Sequence, residues 1–285
     1  MTTSTTPSRG AEFYARHTRI TNPGSMELAF QALPDTVPEL VKVVQDLVLH
    51  VHWAGRYGVS PTEEQKKHVQ ARTVERILQV IMEIDPSPLT AARPLEKRFL
   101  GNCRDFSTLL CSMLRHKGIP SRARCGFGTY FLPDHFEDHW ICEYWNGERW
   151  VRLDAQLDEL QKKTLAIDFD TLDIPEGRFV NASAGWQKCR AGEADPAKFG
   201  IFEWSGLWFV RGNLIRELAA LNEAEMLPWD VWGLIAGKDE ELTEQDFVLL
   251  DRVARALVED DEEVHSLYEA EPKLRVPESM IEAGM

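Results

Sequence analysis

The sequence predicts an α+β fold in which helices pack on an antiparallel sheet, followed by a largely helical C-terminal extension. Three observations predict it. Apolar residues first recur at helical spacing, three short strand-like runs then follow between residues 121 and 153, and beyond Asp158 a tryptophan-rich stretch leads into further helical periodicity. The chain has 285 residues, 44% of them apolar, enough for a large buried core.

Residues 1–12, which begin MTTSTTPSR, read as a disordered tail. Residues 25–160 read as N-terminal helices leading into a core, and 161–285 as an extension packed on it. Pro38 to Ala54 repeats apolar residues at three- and four-residue steps, which predicts an amphipathic helix with Leu40, Val44, Leu47, Val48 and Val51 inward. Within it, His50 and His52 read as surface or boundary residues. Ser60-Pro61-Thr62-Glu63 pairs an N-cap serine with a capping-box glutamate, starting a helix that runs to about Ile84. A third helix starts after Asn102, with Phe106, Leu109, Leu110, Met113 and Leu114 on its apolar face and Gly118 as its stop. Strand-like runs follow at Ser121 to Tyr130, His139 to Trp145 and Arg149 to Leu153. Asn213 to Met226 and Thr243 to Val258 read as two further helices, with the tryptophans from Trp186 to Trp232 as core or as cover over a cleft.

The formal charge of −14 argues against nucleic acid or an anionic membrane as partner. Much of the excess lies beyond Gly237, where 15 acidic residues face 5 basic ones and predict a solvated helical surface. No apolar run of about 18 residues and no apolar signal core are present. The five cysteines have no regular spacing, which points to a reduced, cytoplasmic setting in which one cysteine is chemical and the rest are packing.

Cys103 is the candidate nucleophile. With Asn102 as N-cap its thiol sits in the first helical turn, where unpaired N–H groups and the helix dipole favour thiolate, against a small opposing charge on Asp105. The strands on either side of Asn146-Gly147 supply a histidine and a carboxylate. A two-residue Asn-Gly turn puts His139 directly opposite Asp154, with Cβ atoms about 4.5–5.5 Å apart. In that geometry a carboxylate fixes the imidazole tautomer and leaves the other nitrogen to take a thiol proton. A four-residue turn would put Asp154 opposite Ile141 instead. Either register turns Trp140, Cys142, Val151 and Leu153 to the opposite face. Cys111, Cys125, Cys142 and Cys189 read as packing or bystander thiols, and His135 as a loop residue, not one half of a zinc grip with His139.

Gly101-Asn102-Cys103, Arg115-His116-Lys117-Gly118-Ile119-Pro120, Asp138-His139-Trp140 and Trp150-Val151-Arg152-Leu153-Asp154 together resemble the transglutaminase-like superfamily over roughly residues 75–160. The resemblance implies a papain-like fold and a Cys103–His139–Asp154 triad; the residues themselves show no calcium-loop spacing of the D-x-[DN]-x-[DN]-G kind, and no cofactor or metal is expected. It also implies acyl transfer through a thioester, from a peptide or small-molecule acyl donor to water or an amine. Trp140 follows the histidine directly, where many relatives keep one residue between. Trp53 is the upstream side chain this reading offers for the oxyanion hole. The alternative left open is a non-catalytic binding module of the same fold, using the acidic C-terminal region. Oligomeric state is not legible.

Overall fold

The computed structural model describes residues 9–259 and 261–282. Its first element departs from the expected tail. Residues 9–12 belong to a short helix, α1 (Arg9–Phe13), with Ala11 buried and the Tyr14 hydroxyl donating to Leu221 O at 3.2 Å. Residues 1–8 lie outside the described residues.

Helix α2 (Val37–Leu47) buries Leu40, Val44 and Leu47 but ends well before Ala54. Val48–His50 form strand β1 instead, parallel to β2 (Phe99–Gly101), with Val48 opposite Phe99 and His50 opposite Gly101. A Val-Leu-His run satisfies either periodicity, and here the partner strand decides it. The next expected helix is also split. Thr62, not Ser60, caps α3 (Glu63–Lys66) in a capping box with Gln65, and the chain breaks before Thr73 caps α4 (Val74–Ile84) anew. At that break the carbonyls of Ala71 and Arg72 accept from the buried Arg104 guanidinium, which also binds Glu225 O. A guanidinium this deep needs such acceptors, and a continuous helix would have used these carbonyls itself.

Helix α5 (Cys103–His116) matches expectation at both ends. Asn102 and Asp105 form its capping box, and Gly118 follows it at φ +73°, a conformation glycine adopts without strain. Strands β3 (Ser121–Gly128), β4 (Phe136–Trp145) and β5 (Trp150–Leu153) follow as an antiparallel meander. Beyond them come α6 (Glu159–Thr164), β6 (Phe179–Asn181), α7 (Ala182–Arg190), β7 (Phe199–Ile201), β8 (Trp204–Ser205), α8 (Leu207–Ala220), α9 (Glu244–Glu259), α10 (Asp261–Ala270) and α11 (Glu278–Glu282). The extension is thus built into the sheet, whose order is β6-β3-β4-β7-β8 with β5 also on β4. Because β7 runs parallel to β4, the sheet is mixed where the sequence predicts an antiparallel one. Helix α8 starts at Leu207 and stops at Ala220, both earlier than the expected Asn213 and Met226.

The larger apolar cluster gathers α2, α4 and α5 against Cys125, Trp140, Cys142 and Leu153 of the sheet. A second collects Phe127, Trp186 and Phe199 with α8 and α9. Helix α5 is buried from Cys103 through Arg115. Between the layers Arg124 pairs with Glu143 of β4 and Glu217 of α8, pinning the extension to the strand that carries His139. Trp186 and Trp232 are core, whereas Trp204, Trp208 and Trp229 are exposed. Among the described residues no helix is long and apolar enough to cross a membrane.

Candidate active site

The three residues singled out in the sequence come from three elements: Cys103 opens α5, His139 lies in β4, and Asp154 follows β5. His139 Nε2 and Asp154 Oδ2 are 2.8 Å apart, and both side chains are almost fully buried. With the carboxylate as acceptor, the neutral ring carries its proton on Nε2 and Nδ1 is the nitrogen free to accept one.

The pair meets in a different register from the two-residue turn. Trp145 pairs with Trp150 and Cys142 with Leu153, so the connection is four residues long. Asn146 Oδ1 accepts from the backbone N–H groups of Glu148 and Arg149, and of the two turn residues Gly147 alone has positive φ. A type I′ turn needs positive φ at both, so the asparagine side chain has selected the longer loop. A shift of two residues returns every side chain to its own face. His139 and Asp154 become diagonal neighbours, still within reach, and the Asp154 N–H leaves the ladder to donate to Thr171 O.

One edge of β4 is interrupted at this point. Strand β7 pairs with Phe136 and Glu137, β5 with Cys142 onward, and residues 138–141 have no strand partner on that edge. The Trp140 backbone N–H, one residue along the strand from His139, acts on the Cys103 thiol and favours its ionised form. Its charge state departs from the sequence expectation. Burial pushes the thiol well up, Asp138, Asp105 and Asp154 add to the rise, and the Trp140 N–H only partly offsets them. Helix α5 is covered along nearly its whole length and three carboxylates act on its first turn, which outweighs the dipole. The resting group is therefore a thiol.

Three neighbours escaped the sequence reading. The Tyr130 hydroxyl donates to Asp154 Oδ2 at 2.7 Å, the same oxygen that faces His139, while Gln156 N–H donates to Oδ1 at 2.9 Å. Asn213 of α8 donates to Asp138 at 2.7 Å. His50 is buried in β1 rather than on a helix surface. Its Nδ1 accepts the His52 backbone N–H at 3.2 Å, and its ring stacks on Phe106 one turn along α5 from Cys103. Burial, then His52 and His139, hold its pKa well below the ordinary value, so it is neutral with the proton on Nε2. The pairing of β1 with the strand leading into Cys103 is what brings it here, and no local pattern encodes that. Trp53, the oxyanion-hole candidate from the sequence, is buried and lies under the Arg56 guanidinium at 4.6 Å.

The remaining cysteines are placed as packing residues. Cys111 and Cys142 are buried with their sulfurs 3.4 Å apart, Cys125 is buried in β3, and Cys189 is half-buried on α7. His135 is partly buried, with Nε2 3.3 Å from Gly200 O and 3.2 Å from Glu137. Beside His139 a groove of about 280 Å³ opens between Tyr130, Phe131 and the segment 165–169.

A helix-borne cysteine, a strand-borne histidine and the carboxylate that follows the next strand are thus brought to one region of the fold. Residues 54–155 match the transglutaminase-like superfamily, and the match spans Cys103, His139 and Asp154. A search of solved structures returns a proposed cysteine protease from Cytophaga hutchinsonii, at 16% identity and a TM-score of 0.37, covering 62% of this chain. The chain spans about half of that protein, 49%. No curated protein matches the chain.

Proposed function

We propose that the protein performs cysteine-dependent acyl transfer through a thioester on Cys103, cleaving an amide or passing the acyl group to an amine. The observation that carries this reading is the buried His139–Asp154 contact, one residue along β4 from Trp140, whose backbone N–H acts on the Cys103 thiol. His139 Nδ1 takes the thiol proton as the sulfur attacks the acyl carbonyl, and Asp154 stabilises the imidazolium. The Cys103 backbone N–H lies in the first helical turn, free to meet the developing oxyanion, and the Nε2–H of His50 is the side-chain donor on the same side of α5. His139 then protonates the leaving amine, and water or an incoming amine, deprotonated by His139, releases the acyl group and restores the thiol.

The test is p-nitrophenyl acetate followed by peptide mass spectrometry. One acetyl group on Cys103, lost to added hydroxylamine and absent from Cys111, Cys125 and Cys142, is the expected result. A Cys103 that takes no acetyl group defeats the proposal and favours the binding-module alternative. Glycine methyl ester as competing acceptor then separates hydrolysis from transfer to an amine.

A further inference from the structure

We infer that the groove beside His139 receives the side chain of the acyl donor, and that this side chain is aromatic or branched apolar, about the size of one phenylalanine or leucine side chain. The inference deepens the proposed function and rests on it.

Position comes first. Tyr130 and Phe131 line the groove and also touch the His139 ring, with centroids 6.0 and 4.8 Å away. The groove and the His139 ring thus share the Tyr130–Phe131 wall, so a donor seated in the groove lies about one ring's width from the histidine. Lining comes second. Leu132, Ile167 and Phe169 face the groove with Tyr130 and Phe131, and Leu132 is 52% exposed. These apolar side chains gain by being covered, and Thr129, Asp168 and Arg178 supply the polar part of the same lining.

Charge and size narrow the class. The cation at the mouth, Arg178, is already committed, to Asp168 at 2.8 Å and over the Phe169 ring at 5.2 Å. A carboxylate on the donor would have to break that pair, and a cationic donor would meet Arg178 itself. An uncharged group meets neither cost. The volume of about 280 Å³ falls just short of the roughly 300–1,000 Å³ typical of pockets for drug-sized ligands. It suits one side chain better than a run of residues.

Two measurements test this separately from the chemistry. The first is ligand-observed NMR of 3-phenylpropanamide with the Cys103→Ser protein and with Cys103→Ser/Ile167→Trp, in which the indole fills the groove from its rim. Binding to the first and loss in the second is expected. The second is the ratio of Cys103 acylation rates from p-nitrophenyl 3-phenylpropanoate and p-nitrophenyl acetate. A ratio of at least about tenfold is expected in the wild type, falling towards one in Ile167→Trp and by several-fold in Phe169→Ala. A wild-type ratio near one, or one that neither substitution changes, overturns the inference, as does absence of amide binding to Cys103→Ser. If neither ester acylates Cys103 while amide binding still disappears in Ile167→Trp, the acyl-transfer reading fails and the groove assignment stands as a binding site.

Discussion

Replacing Tyr130 by phenylalanine removes one oxygen and leaves the groove wall in place. That oxygen is one of three donors around Asp154: the Tyr130 hydroxyl and His139 Nε2 share Oδ2 at 2.7 and 2.8 Å, and Gln156 N–H holds Oδ1 at 2.9 Å. Burial, then Asp154, pushes the phenol well above its ordinary range, so it stays a donor across the working pH. A hydrogen bond to a charged acceptor contributes about 1.5–3 kcal/mol. Expressed wholly as lost orientation of His139 in the transition state, that is about 10- to 150-fold in rate. The assay is single-turnover release of p-nitrophenol from p-nitrophenyl acetate, run for Tyr130→Phe, Asp154→Asn and the double variant. Since Tyr130 acts through Asp154, its effect should shrink sharply in the Asp154→Asn background. A Tyr130→Phe rate within twofold of wild type refutes the argument. An equal penalty in both backgrounds would instead mean that the hydroxyl acts independently of Asp154.

Burial raises Asp105 to about 6, so it ionises at a cost in the folded protein between its ordinary value of 3.8 and 6. The folded state binds more protons than the unfolded state in that window, so stability falls as pH rises through it. Relative to Asp105→Asn, urea unfolding should show the wild type losing about 2 kcal/mol between pH 4 and pH 6. Glu143 has the opposite sign. Burial would raise it, but Arg124, Arg122 and Arg152 outweigh burial and hold it well below the carboxylate range. Its contribution is present above pH 4.5 and lost in more acid solution. Glu143→Gln should cost about 3–5 kcal/mol at pH 7 in the same measurement, because it leaves buried guanidiniums without their counter-charge. His50→Ala should lower the ratio of Cys103 acetylation to iodoacetamide alkylation by about 10²–10³, since only acetylation forms an oxyanion, and His50→Gln should recover part of it.

Features set by a few adjacent residues were legible in the sequence. Asn102 and Asp105 cap α5 as their types require, Gly118 ends it, and the face alternation around His139 holds because a two-residue slip conserves it. Features set by remote partners were not. Val48 to His50 look helical until Phe99–Gly101 are alongside, and the carbonyls at the α3–α4 break are claimed by an arginine more than 30 residues later. The Asn-Gly pair suggested the shorter turn because the asparagine side chain was not weighed as an acceptor in its own right. Tyr130, His50 and Asn213 reach the site through tertiary packing and carry no signature of spacing. The helix terminus taken alone favours a thiolate at Cys103, and burial with the converging carboxylates works in the opposite direction.

The most direct test of the central claim is the single-turnover acetylation rate of Cys103 against pH, in wild type and in His139→Ala. If His139 is the base for a resting thiol, the wild-type rate rises along one titration to a plateau. The His139→Ala rate should then lie at least about 10²-fold lower near neutrality and climb only at alkaline pH, where the buried thiol ionises unaided. Superimposable profiles would contradict the account.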